Sequence, residues 1–189
     1  RIGLKIRLEM KRPGYYPRGG GEVFAHIQPC THIDPLIMTK RPAITTATGF
    51  SAVAGLPEHI ARRQARRAIE RLGRDGIEAN IEPQEWEGGP CSVLGIVFDE
   101  SPVSTFFYGL GERGKPAERI ADDAADEAIA YAKTDAPVDP HSADQLVLPL
   151  AFANGASEYR ASSVTQHLLT NIEIVKRFVD RDIVCEGEE

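Results

Sequence analysis

The stretch CSVLGIVF, residues 91–98, carries no charge and is apolar almost throughout. A run of that kind belongs in a strand with neighbours on both sides, so it predicts a central strand of a sheet. The segments around it supply those neighbours. AITTATGF is rich in β formers, IEANIE alternates, and STFFY is a further strand candidate. PEHIARRQARRAIERLG reads as a helix with Pro57 at its start and Gly73 at its stop. After the loop GLGERGKP, PAERIADDAADEAIAYA is a helix opened by Pro116, with acids in its first turns. The order β-α-β-β-β-α predicts a compact α/β unit over 43–136.

The flanks read differently. In IGLKIRLEMK, Ile2, Leu4, Ile6, Leu8 and Met10 alternate with Lys5, Arg7, Glu9 and Lys11, which predicts a half-buried strand. The Pro- and Gly-rich RPGYYPRGGG is a turn, and EVFAHIQ alternates again, so the two strands form a hairpin. In DPHSADQLVLPLAFANG, Asp139 caps a helix, Pro140 takes its first position, Pro149 kinks it and Gly155 stops it. SEYRAS and VTQHL are strand candidates, and Thr170 with Glu173 has the spacing of a capping box ahead of Ile172, Ile174, Val175 and Phe178. The two ends, 1–42 and 137–189, therefore read as one domain interrupted by the α/β unit.

With 189 residues and 42% hydrophobic content, the chain can bury a real core. Its net charge of −6 gives no bulk attraction for nucleic acid or an anionic membrane, so a polyanion would need a local patch. No apolar stretch is long enough to span a bilayer. Cys30, Cys91 and Cys185 are odd in number and include no CxxC pair, which argues against a disulfide framework or zinc site and for a reducing cytoplasm. The start at Arg1 has no Met and no leader, which predicts sequence missing ahead of it.

Four features bear on chemistry. His167 precedes the Thr170 cap, where unpaired N–H groups favour an anion; an imidazole there could attack a phosphorus, or it could simply finish a strand. His141, Asp144 and Gln145 cluster in the first turns of a helix, either as one wall of a nucleotide site or because acids suit that end. Lys11, Arg12 and Arg18 with Tyr15 and Tyr16 could form a phosphate-and-stacking surface or a solvated turn. Arg62, Arg63, Arg66, Arg67, Arg71 and Arg74 form a basic stripe that could follow RNA phosphates or be the wet face of an amphipathic helix. GLGERGKPAE lacks the GxxxxGK[ST] pattern and is not a phosphate loop.

In order, GYYPRGGGEV, LPEHIARRQARRA, GERGKPAERIADDAADE, VDPHSADQLVLPLAFANG and HLLTNIEIVKRFV resemble the RNA 3'-terminal phosphate cyclases along nearly the whole chain. The resemblance implies an α/β (α+β) fold: the end of a repeated βα two-layer domain, built like the C-terminal domain of translation initiation factor 3, with an inserted thioredoxin-like α/β domain. The large domain would then hold 1–42 and 137–189, and the insert 43–136. It implies ATP-dependent conversion of an RNA 3'-phosphate to a 2',3'-cyclic phosphate through a histidine–AMP intermediate and an RNA–adenylate. His167 takes the role of the adenylylated histidine; His141, Ser142, Ala143, Asp144 and Gln145 match the nucleotide-binding segment. ATP and a divalent ion, Mg2+ or Mn2+, are the implied cofactors, and the metal ligands are not assigned. Ser142 stands where a leucine is common. The alternative is a cyclase-like RNA-binding or ribosome-assembly protein without catalysis, but such relatives lack the histidine that HLLTN carries here.

Overall fold

A computed structural model describes residues 2–17, 19–99 and 103–187. The chain is a mixed α/β protein with the element order β1 (Ile6–Arg12), β2 (Glu22–Ile27), β3 (Ile37–Met38), β4 (Thr46–Ala54), α1 (His59–Arg74), β5 (Glu78–Trp86), β6 (Cys91–Phe98), β7 (Thr105–Leu110), α2 (Ala117–Ala132), α3 (Pro140–Ala151), β8 (Glu158–Tyr159) and α4 (Gln166–Phe178). It divides into two compact units: Arg1–Lys11 with Val23–Arg41 and Asp135–Glu189, and Arg12–Glu22 with Pro42–Thr134.

The second unit is a four-stranded sheet in the order β5-β4-β6-β7, with β4 and β5 parallel and the other pairs antiparallel. The apolar run 91–98 is indeed a central strand. Alternation sends Leu94, Ile96 and Phe98 of β6, Ile81 of β5 and Phe107 of β7 into one core, where they meet α1 and α2. The helices can lie close to the sheet because their inward stripes are mostly alanine: Ala61, Ala65 and Ala68 on α1, and Ala121, Ala124, Ala125 and Ala128 on α2. Gly49 permits the close approach of β4 and β6, since a Cβ there would lie 2.1 Å from the Gly95 carbonyl oxygen. Within this core Ser51 Oγ donates to Gln64 Oε1 at 2.9 Å, and Gln64 Nε2 donates to Ser92 Oγ at 3.2 Å.

The stop expected at Gly73 falls one turn too early. Helix α1 runs to Arg74, and Gly76 takes the left-handed conformation at φ 79°. The amides of Gly76 and Ile77 donate to the carbonyls of Gly73 and Leu72, closing a Schellman motif.

In the first unit, β1 and β2 pair as a two-stranded sheet, and β3 pairs with β8 in parallel. A separate core joins Met38, Val138, Ala143, Val147, Ala151, Leu168, Ile172 and Val175. The expected half-burial of β1 does not occur: Ile6, Leu8 and Met10 are exposed, and among the described residues nothing covers them. Helix α3 has the cap and first-turn proline expected of Asp139 and Pro140. It ends at Ala151 instead of Gly155, since Pro149 has no N–H to continue the ladder and Phe152 and Ala153 donate only three residues back.

The capping box expected at Thr170 is not formed. Thr165 is the cap, its Oγ1 accepting from the Leu168 amide at 3.1 Å, so α4 already includes Gln166 and His167. The buried stripe Leu168, Ile172 and Val175 decides this, because starting the helix at Thr170 would discard its first core contact. VTQHL is accordingly not a strand, and SEYRAS contributes only Glu158 and Tyr159.

Candidate functional site

The sequence-predicted site residues all lie in the first unit, in the opening turns of α3 and α4. The buried Asp139 carboxylate accepts from the amides of His141 and Ser142, each at 2.9 Å, and so orders the start of α3. Ala143 turns inward to the core with Val147 and Ala151. His141 and Gln145 are exposed on the outer side, and Ser142 and Asp144 are half-buried. On α4, Leu168 points inward and His167 is exposed. The histidine therefore sits inside the first helical turn, where amide N–H groups face outward, and not on a strand ahead of it.

Cross-contacts fix how the two helices lie. Asn171 Nδ2 donates to the Asp144 carbonyl at 3.3 Å, near both N-terminal ends. Arg181, just beyond α4, donates to the carbonyls of Ala151 and Ala153 at 2.9 and 2.5 Å, at the C-terminal end of α3. The helices thus run side by side in the same sense, with His141 and His167 at the same end. Tyr159 adds a third tie, its hydroxyl donating to the Ala143 carbonyl at 2.7 Å. Burial, with the negative charges of a Cys185 thiolate and Asp144 adding to it, pushes the Tyr159 phenol up to about 12. Thr165, Asn171 and Tyr159 escape a sequence reading. For Thr165 the signal was present, since it precedes the stripe 168, 172 and 175; for Asn171 and Tyr159 the partners are backbone atoms of a distant helix.

The other two surfaces are largely engaged in holding the fold. Arg63 pairs with Glu118 at 2.7 Å, Arg67 with Asp122 at 2.6 Å, and Arg71 with Asp75 and Asp126 at 2.6 and 2.8 Å. Arg62 and Arg66 pair with Glu58 and Glu70 on their own helix. Arg63, Arg67 and Arg71 are thus matched by the acids of α2. The Arg63 hydrogen bond brings the Glu118 carboxyl down to about 2. In the Gly-rich turn, Tyr15 donates to the Glu87 carbonyl at 2.7 Å, Arg12 donates to the Gly20 carbonyl at 2.7 Å, and Tyr16 is exposed. Arg18 lies outside the described residues. An open cavity of about 300 Å³ is lined by Gly3, Lys5, Gln28, Pro29, Cys30, Thr31 and His32, and includes none of the predicted site residues.

Among the described residues, no three His, Cys, Asp or Glu side chains gather as a metal site, and no helix is long and apolar enough to cross a membrane. A family model for RNA 3'-terminal phosphate cyclase matches residues 1–185. Proteins named RNA 3'-terminal phosphate cyclase are similar throughout: one from Thermococcus kodakarensis is 39% identical over all of this chain and 55% of its own length. One from Pyrobaculum aerophilum is 38% identical over 95% of this chain and 52% of its own. A third, from Ralstonia nicotianae, is 37% identical over all of this chain and 54% of its own. The chain spans about half the length of the curated relatives it matches.

Proposed function

The chain belongs to the RNA 3'-terminal phosphate cyclase family, and from that premise we propose that it carries the nucleophile of an ATP-dependent cyclase. One observation carries the reading: His167 is exposed in the capped first turn of α4, at the same end as the opening turns of α3. An imidazole nitrogen of His167 attacks the α-phosphorus of ATP, a P–N bond forms, and pyrophosphate leaves. An oxygen of the RNA 3'-phosphate then attacks the same phosphorus and releases the histidine, giving an RNA–adenylate. The vicinal 2'-hydroxyl finally attacks the RNA phosphorus, loses its proton, expels AMP and closes the 2',3'-cyclic phosphate.

In this reading the amides at the start of α4 receive negative charge during the first transfer. His141, Ser142, Asp144 and Gln145 face the nucleotide, while Ala143 anchors their helix in the core. The described residues do not form a self-contained site for a divalent ion. We read 43–136 as an inserted thioredoxin-like domain, and the outer segments as the end of a repeated domain like those of initiation factor 3. RNA with a 3'-terminal phosphate is the proposed substrate.

The test uses ATP labelled at the α-phosphate. This chain, and the same chain joined to the part of a relative outside the matched half, are incubated with ATP and a divalent ion. Acid-labile, alkali-stable label on protein that vanishes in His167→Ala is the expected result. A folded longer protein that takes no label, or labels equally without His167, would remove the histidine from the chemistry and favour the non-catalytic alternative.

A further inference from the structure

One face of the four-stranded sheet carries α1 and α2, and the other carries no element among the described residues. Alternation and register place Phe50 of β4, Trp86 of β5, Val93 and Val97 of β6, and Phe106, Tyr108 and Leu110 of β7 on that open face. Their rings form a connected row. Trp86 lies 5.5 Å from Phe50, Phe50 is 6.3 Å from Phe106, and Phe106 is 6.0 Å from Tyr108, the last two pairs stacked. Gly95 lets this row lie down on the strands, because a Cβ there would come within 2.7 Å of Phe106 and 2.9 Å of Phe50. Trp86 is 38% exposed, Phe106 46%, Tyr108 54% and Leu110 55%. Connected apolar surface of this kind marks a docking site.

Charge selects the occupant. The four strands contain no lysine or arginine. Glu78 and Glu82 share the open face along β5, and among the described residues neither makes an ion pair. The acids of α2 are different, since Glu118, Asp122, Asp123 and Asp126 are all paired with basic side chains. An aromatic row could stack bases, but Glu78 and Glu82 on strands without lysine or arginine repel a phosphate backbone. The same glutamates attract lysine and arginine. Pro83 removes an N–H from the β5 edge, which favours docking on the face over strand addition at that edge.

We propose that this open face binds an amphipathic protein helix, its apolar side seated on Phe50, Phe106, Tyr108 and Leu110 and its lysine or arginine flank turned to the β5 glutamates. The site uses none of the residues assigned to the cyclase reaction, so the two readings stand or fall separately.

Trp86 is the single tryptophan of the chain, so its fluorescence reports occupancy directly. The probe is a synthetic helical peptide with leucine on one face and lysine on the other. Controls are the same peptide with glutamate for lysine, and an oligouridylate. The lysine peptide is expected to shift Trp86 emission to the blue, saturably. Phe106→Ser with Tyr108→Ser should weaken binding by roughly tenfold or more. Glu78→Gln with Glu82→Gln should weaken it and flatten its salt dependence, whereas Glu173→Gln in the other unit should change nothing. Circular dichroism checks that the variants fold, and the glutamine pair remains a test if the serine pair does not. The proposal is overturned if the lysine peptide gives no shift, if the glutamate peptide matches it, or if binding ignores both pairs of substitutions. A shift produced by the oligouridylate instead would make the face a nucleic-acid platform.

Discussion

Gln64 has no exposed surface, although it stands in the sequence ARRQARR among the most solvated residues of the chain. Its amide bridges Ser51 on β4 and Ser92 on β6, so it satisfies two buried hydroxyls at once. Gln64→Ala should lower stability by about 1–3 kcal/mol, because both serines would remain buried with a lost partner; urea unfolding measures the difference. Nothing local reveals this role, since the partners lie on strands distant in sequence. The same limit applies to the candidate site. His167 and the segment His141–Gln145 were legible as residues, but the end they share depends on Asn171 and Arg181 reaching the α3 backbone. The register of His167 differs from the expectation built on Thr170, because the burial of Leu168 requires the helix to start at Thr165.

At the scale of elements, the pairing of α1 with α2 makes stability depend on pH. Hydrogen bonds from Arg63 hold Glu118 at about 2, and basic partners also lower Asp75 and Asp123. Carboxyls lowered in the folded state add stability that is complete above their unfolded values and is lost as pH falls through the folded ones. The urea midpoint should therefore fall between pH 4.5 and about 2, and less steeply in Glu118→Gln. Added salt should shrink the effect, since these pairs are partly exposed. The elements themselves were largely readable. Strand β6 announced itself by its apolar run, α2 by Pro116, and α3 by Asp139 and Pro140. Their ends were harder. The stop of α1 lay between two glycines, and only Gly76 had the left-handed backbone. The arginine stripe was readable as the outer face of an amphipathic helix, but not the partners of Arg63 and Arg67, which are on a helix far along the chain.

For the whole molecule, the least settled surface is the β1–β2 ribbon. Two strands without a third layer are marginal in water, and Ile6, Leu8 and Met10 are all open to it. This chain alone should self-associate as its concentration rises, and Leu8→Lys should reduce that; light scattering showing a monodisperse monomer throughout would contradict the expectation. The alternation of β1 was readable in the sequence, but whether anything would cover it was not, because burial is a property of what packs against a strand. A different consequence follows from the first unit. The amide of Arg41 donates to the carbonyl of Asp135 at 3.0 Å, so the long intervening stretch departs and returns through points one hydrogen bond apart. Such a doorway places almost no demand on what is hung from it. The stretch could be lengthened or exchanged at its loops while the backbone at Arg41 and Asp135 stayed in place, so long as the seat of Tyr15 at Glu87 is kept, since 12–22 belongs to the same unit.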